Sequence, residues 1–203
     1  MKKSIKISGD GFISEGEYDV VKIMGDVSSI GNVYAREVKI NGDAEFRGNL
    51  DFVKLNICGN THINGNLKVG QVKINGDIYV ETNIYAKEIN INGLIKVRGN
   101  IECENITIKG SIQCDGVLQA QSVSIYPYSD SYCNEIKSSK IEILKYKRKY
   151  TLNLYKVNHG KFNCKSMKGD DIKLENSDVE YIEYTKNLNI SDDCKVEKSV
   201  KII

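Results

Sequence analysis

Glycine recurs every 17 residues, without slippage, at Gly25, Gly42, Gly59, Gly76, Gly93 and Gly110. Two residues before each stands isoleucine, at Ile23, Ile40, Ile57, Ile74, Ile91 and Ile108, and the column runs on to Ile125. Two residues earlier again come Val21, Val38, Leu55, Val72, Ile89, Ile106 and Val123. A short fixed period of this kind marks a repeat architecture, in which each unit buries its apolar face only against its neighbours.

The same register carries two further apolar pairs per unit. After the glycine come Val27, Ala44, Thr61, Ile78, Ile95 and Ile112, each followed two residues on by Ser29, Phe46, Ile63, Val80, Val97 and Cys114. A second glycine column follows at Gly31, Gly48, Gly65, Gly99 and Gly116, with Thr82 as the exception. Beyond it lie Val33, Leu50, Leu67, Ile84, Ile101 and Leu118, then Ala35, Phe52, Val69, Ala86, Cys103 and Ala120. Spacing of i, i+2 puts both members of a pair on one face of a strand, and it cannot place them all on one face of a helix. Gly-Asp and Gly-Asn steps at the breaks suit tight corners, because both residue types tolerate positive φ.

Three short strands and three corners make one triangular coil. Stacked coils place like residues above like, about 4.8 Å apart, with parallel hydrogen bonding between them. The expected fold is therefore all-β: a single-stranded triangular β-helix, or β-solenoid, with 17-residue coils. Right-handedness is expected from the general preference of parallel β connections. Six inward positions per coil, at roughly 1.5–3 kcal/mol of gross burial for each large aliphatic one, supply a core without any other element.

Residues 1–125 form the regular part, with an irregular first coil at 4–20. There Ile5-Lys6-Ile7 stands one position short of a full period before Val21-Lys22-Ile23, and Phe12-Ile13 breaks the alternation. Residues 126–203 read as a C-terminal extension of degenerate β-coils with a loop or hairpin near 144–151. Its pairs include Ile141/Ile143, Leu152/Leu154, Phe162/Cys164, Ile172/Leu174, Ile182/Tyr184, Leu188/Ile190, Cys194/Val196 and Val200/Ile202.

Lys plus Arg number 29 and Asp plus Glu 27, a net of +2, so no overall charge bias points to nucleic acid, which is not an expected partner. No apolar run approaches the ~20 residues of a membrane span, and the opening MKKSIKISGDG has no apolar signal core. A cytoplasmic protein is expected, with a peripheral position at the inner face of the cell membrane as a variant. Six cysteines show no CxxC pair, and only His62 and His159 could join them, so no metal and no cofactor is expected.

The repeated V-K-I-N-G-D-x-x-x-x-G-N-L pattern, carried by residues 20–125, resembles the bactofilin family of polymer-forming bacterial cytoskeletal proteins. Lys168-Gly-Asp-Asp-Ile-Lys-Leu-Glu-Asn-Ser177 and the pairs after it are similar to the extended C-terminal part of Gram-positive members. The resemblance implies a right-handed triangular β-helix that assembles end to end, without nucleotide, into non-polar filaments. It also implies a scaffold role in cell shape, envelope organisation or motility, with other bactofilin-like, envelope or motility proteins as partners.

A physical argument points the same way. A parallel solenoid ends in a coil with unpaired N–H and C=O groups and an open core, which is a template for a second copy. The candidate polymerisation contacts are Ile5, Ile7, Phe12 and Ile13 at one end and Val196, Val200, Ile202 and Ile203 at the other. A basic run, Lys145, Lys147, Arg148 and Lys149 with interleaved tyrosines, is a candidate contact patch for an anionic membrane surface. No catalytic residues are assigned and the chain is not expected to be an enzyme. Acyltransferases and carbonic anhydrases on left-handed triangular coils use 18-residue turns and a histidine set that two scattered histidines do not provide. The alternative function is a non-polymerising adaptor that binds protein partners on its flat faces.

Overall fold

The computed structural model describes residues 2–146 and 160–202. Lys147, Arg148, Lys149, Ile203, the Leu152/Leu154 pair and most of the 144–151 segment lie outside them. Strands occupy 78% of the described residues, and all strand pairings are parallel within one sheet that coils about 11 times. Among the described residues, no helix is long and apolar enough to cross a membrane.

The first coils are built from short strands, β1 (Lys3–Ser8), β2 (Gly11–Ile13), β3 (Gly16–Met24), β4 (Val27–Ser29), β5 (Val33–Asn41) and β6 (Ala44–Phe46). Later coils run through their corners as longer strands, β7 (Leu50–Ile63), β8 (Leu67–Val80) and β9 (Ile84–Val97), then the short β10 (Ile101–Glu102). The stack ends with β11 (Asn105–Pro127), β12 (Ser131–Ile143), β13 (Phe162–Leu174), β14 (Ser177–Ile190) and β15 (Lys195–Lys201).

Three columns of inward pairs fill the core. The first begins at Ile5/Ile7, which pair with Val21/Ile23, and continues rung by rung to Leu188/Ile190. The second runs from Ile13 to Val196, and the third from Gly16/Tyr18 to Ser199/Lys201. The interior is aliphatic: Val21, Ile23, Ile57, Ile78, Ile108 and Ile125 are all essentially inaccessible. Buried serines and a threonine also take inward positions, and of these Ser29 and Thr61 have hydroxyls with no hydrogen-bond partner among the described residues.

The corners work by close approach and by side-chain acceptors. Gly76 has φ 141°, and a Cβ there would run into the backbone of Gly59 one rung away. At the next corner the Oδ1 atoms of Asn32, Asn49, Asn66 and Asn83 accept the backbone N–H of Asn49, Asn66, Asn83 and Asn100 at 2.8–3.2 Å. Asn100 completes the ladder by accepting from Val117 N–H at 2.9 Å. These groups would otherwise be unpaired where the strand bends away.

The period is kept even where spacing is not. In the first coil Ile13 pairs with Ser29 but Gly16 with Val33, so the missing residue is absorbed in the corner between them. Pro127 closes β11, and β12 starts three residues after Tyr128 in the next rung of the same sheet. Ile143 pairs with Leu174, almost two periods further along the chain, so the intervening segment is an insertion between two adjacent rungs. An irregularity between Gly169 and Asp171 brings Ile172 opposite Leu188, one position short of a full period.

Candidate assembly surfaces

The candidate contacts fall at the two ends of the stack, in the outermost described rungs. At the amino-terminal end, the outer edge of β1 has no partner strand among the described residues. Ile5 and Ile7 point inward there and are only half-buried, because no rung covers them. Phe12 projects outward from β2 and is 52% exposed, whereas Ile13 beside it is 1% exposed, sealed beneath the first coil. One salt bridge, Lys2 Nζ to Glu17 at 3.2 Å, crosses this end.

The opposite end is different in kind. Val196 is half-buried and continues the column of Cys164 and Val179. Val200, however, pairs with the outward Glu183, and Ser199 and Lys201 take the inward register opposite Ile182 and Tyr184. Reading Val200/Ile202 as an inward pair follows the apolar alternation, but strand pairing at the repeat period prevails and shifts that alternation by one. In the outermost rung no further described coil rewards the burial of Val200, so the backbone ladder decides. Ile202 is 38% exposed, and its N–H donates to Tyr184 O at 2.8 Å. Ser199 and Lys201 carry no apolar signal. They are found only by carrying the repeat period on from Ile182 and Tyr184.

Aromatic rings beneath this rung hold the lysines. Lys198 Nζ lies 5.7 Å from the Tyr181 ring centroid and Lys201 Nζ 5.9 Å from that of Tyr184. Tyr181 also donates to Glu183 Oε1 at 3.0 Å, which raises the phenol pKa and lowers that of the carboxylate, the latter chiefly through Lys168.

Of the basic run, Lys145 is the described member. Its ammonium is engaged by Asp193 two rungs away, which raises the lysine pKa, and its N–H donates to Glu175 Oε2 at 2.9 Å. Asp193 is held well below the usual carboxylate range by Lys145, then by Ser191 and the Asn176 N–H. These contacts tie together the coils on either side of the insertion.

On the second face a shallow groove of about 820 Å³ runs past Asp10, Asp26, Asp43, His62 and Glu81. His62 Nε2 lies 2.9 Å from Glu81 Oε1, and Arg98 holds the other carboxylate oxygen at 2.9 Å. Asp43 Oδ1 accepts from both the N–H and Nδ2 of Asn60, and Asp77 Oδ1 from Leu94 N–H at 3.1 Å. These aspartates therefore serve corner geometry. Among the described residues no group of three or more His, Cys, Asp or Glu is arranged to hold a metal ion.

Stacked parallel rungs, two bare sheet edges and exposed core ends define the chain, over its described residues, as a β-solenoid repeat protein. Comparison with family models, with curated proteins and with solved structures finds no match for it.

Proposed function

We propose that this chain is a bactofilin-like structural scaffold that self-associates end to end, without nucleotide, into filaments. The observation that supports the reading most is the bare outer edge of β1 over the half-buried Ile5 and Ile7. Such an edge offers a row of unpaired donors and acceptors beside open apolar surface, and a second copy can satisfy both at once. Apolar contact of this kind is nucleotide-independent by construction. Scaffold service in envelope organisation, cell shape or motility, at a cytoplasmic or membrane-peripheral position, follows from the resemblance of residues 20–125.

A second reading, an adaptor that does not polymerise, is favoured by the polar last rung, where inward Ser199 and Lys201 discourage stacking on that end. Sedimentation and negative-stain electron microscopy of the purified protein without nucleotide separate the two. Filaments that shorten with Phe12→Arg or Ile202→Arg support assembly through the ends. A monodisperse monomer at high concentration overturns it and leaves the adaptor.

A further inference from the structure

Several outward charges of this solenoid are answered by their opposite on the adjacent rung. Arg36 Nε sits 2.6 Å from Asp19, Lys68 Nζ 3.3 Å from Asp51, and Lys168 Nζ 3.2 Å from Glu183. The midline of the first face breaks this pattern. Lys6 pairs in register with Lys22, and Lys22 with Lys39; after Asn56 the column returns to Lys73. Like charges directly opposite on neighbouring strands are destabilising. Lys39 is engaged by Glu37 of its own strand at 2.9 Å, and Lys54 on the next rung stands in register with that same Glu37. Lys6, Lys22 and Lys73 have no ion pair among the described residues and are left facing outward with their charge unanswered. Beyond Lys73 the midline loses its charge, passing to Asn90 and Thr107. The ladder thus spans five rungs, about 19 Å along the axis.

Two exposed apolar side chains flank the lysines on the same face. Met24 is 51% exposed at one margin and Val53 56% exposed at the other. A flat basic strip edged with apolar side chains matches the surface of an anionic bilayer, where ammonium groups meet lipid phosphates and carboxylates while apolar side chains enter the headgroup layer. A rod-like polyanion such as duplex DNA would use the lysines but gain nothing from Met24 and Val53. We infer that this face, centred on Lys6, Lys22 and Lys73, docks the solenoid lengthwise on an anionic lipid surface. The docking belongs to the single chain and does not depend on end-to-end assembly.

Vesicle co-sedimentation tests this, using phosphatidylcholine alone and phosphatidylcholine with about 30% phosphatidylserine. The protein should pellet with the anionic vesicles only, and release as salt rises to roughly 0.5 M. Lys22→Glu/Lys73→Glu should weaken binding at least roughly tenfold, while Lys96→Glu/Lys165→Glu, the same charge change elsewhere, should leave most of it. Met24→Ser/Val53→Ser should weaken it severalfold at unchanged charge. All these side chains point outward, so equal melting temperatures verify the fold. Absence of binding to anionic vesicles, or equal losses in the two lysine variants, overturns the inference. It is also overturned if duplex DNA binds more tightly than vesicles and the Met24/Val53 variant binds vesicles like the parent. That outcome makes the strip a nucleic-acid face.

Discussion

Lys201 takes the inward register of the outermost rung, exposed at the open end of the stack, with its ammonium 5.9 Å from the ring centroid of Tyr184. Its neighbour Ser199 closes a column that starts at Gly16 and runs through Val33, Leu50, Leu67, Ile84, Ile101, Leu118, Ile136, Met167 and Ile182. An inward charge on an edge strand opposes further pairing, because burial would strip its water. Ser199→Val/Lys201→Val should therefore make this end adhesive. Each restored aliphatic side chain contributes about 1.5–3 kcal/mol on burial, so the concentration needed for assembly should fall at least roughly tenfold. Light scattering across a dilution series reads this directly, and an unchanged onset would show that this end takes no part in assembly.

The asparagine ladder makes a second, local prediction. Asn66 Oδ1 accepts both the N–H and the Nδ2 of Asn83, at 3.2 Å each, and Asn66 N–H donates to Asn49 at 2.9 Å. Asn66→Ala removes one acceptor and strands the Asn83 N–H at a bend, so a loss of about 1–2 kcal/mol is expected. Asn66→Asp keeps the acceptor and should cost less than half as much. Chemical denaturation of the two variants checks the ordering.

Most of this architecture is legible in the sequence because strand period and coil period reinforce one another. Val21, Ile23, Val38 and Ile40 are apolar, evenly spaced and buried, and the fold requires all three properties at once. Legibility ends where the two signals part. At Val200 and Ile202 the apolar alternation and the repeat period disagree, and backbone pairing prevails. The ion pair between Lys145 and Asp193 joins residues across an insertion, and no local pattern encodes so distant a partner. The lysine column is visible in the sequence as separate polar positions between inward pairs, but its meaning depends on which strands stand side by side.

Thr61 shows the reverse case, a polar residue at a position the period assigns to the core. It stands between Ala44 and Ile78, fully buried, and its hydroxyl has no partner among the described residues. A buried unpaired hydroxyl costs about 1–3 kcal/mol relative to an apolar group of the same shape. Thr61→Val should raise stability by about 1 kcal/mol, measured as an upward shift in denaturation midpoint without a change in slope.

Thiol reactivity should follow the columns. Cys58 points outward and is exposed, whereas Cys114, Cys133 and Cys164 stack in adjacent rungs inside the core. A small aromatic disulfide reagent should modify Cys58 within minutes. The three stacked thiols should react only on the timescale of unfolding, since all three are buried where the reagent cannot reach them. Rapid modification of four or more thiols in the native protein would contradict the stacked arrangement.

The same burial predicts alkaline sensitivity. Burial pushes the Cys103 and Cys164 thiols up to about 12, and raises Cys133 as well. In the unfolded chain a thiol ionises near pH ~8.5. Between that value and about 12 the native protein keeps protons that the unfolded chain has released, so stability falls as pH rises. The slope is about 1.4 kcal/mol per pH unit for each fully shifted thiol, and the contribution is constant below pH ~8. Cys164→Val isolates one such group, because Val179 already holds the same inward register one rung on and shows that the column accepts valine. Other alkaline titrations, of lysine and tyrosine, are common to parent and variant and cancel in the difference. The stability gap between the two should therefore move in favour of Cys164→Val by about 1–2 kcal/mol from pH ~8 to pH ~10, read by denaturant unfolding at each pH. A gap that stays constant with pH would mean that the Cys164 thiol titrates alike in the folded and unfolded chain, and is not buried as its position in the core requires.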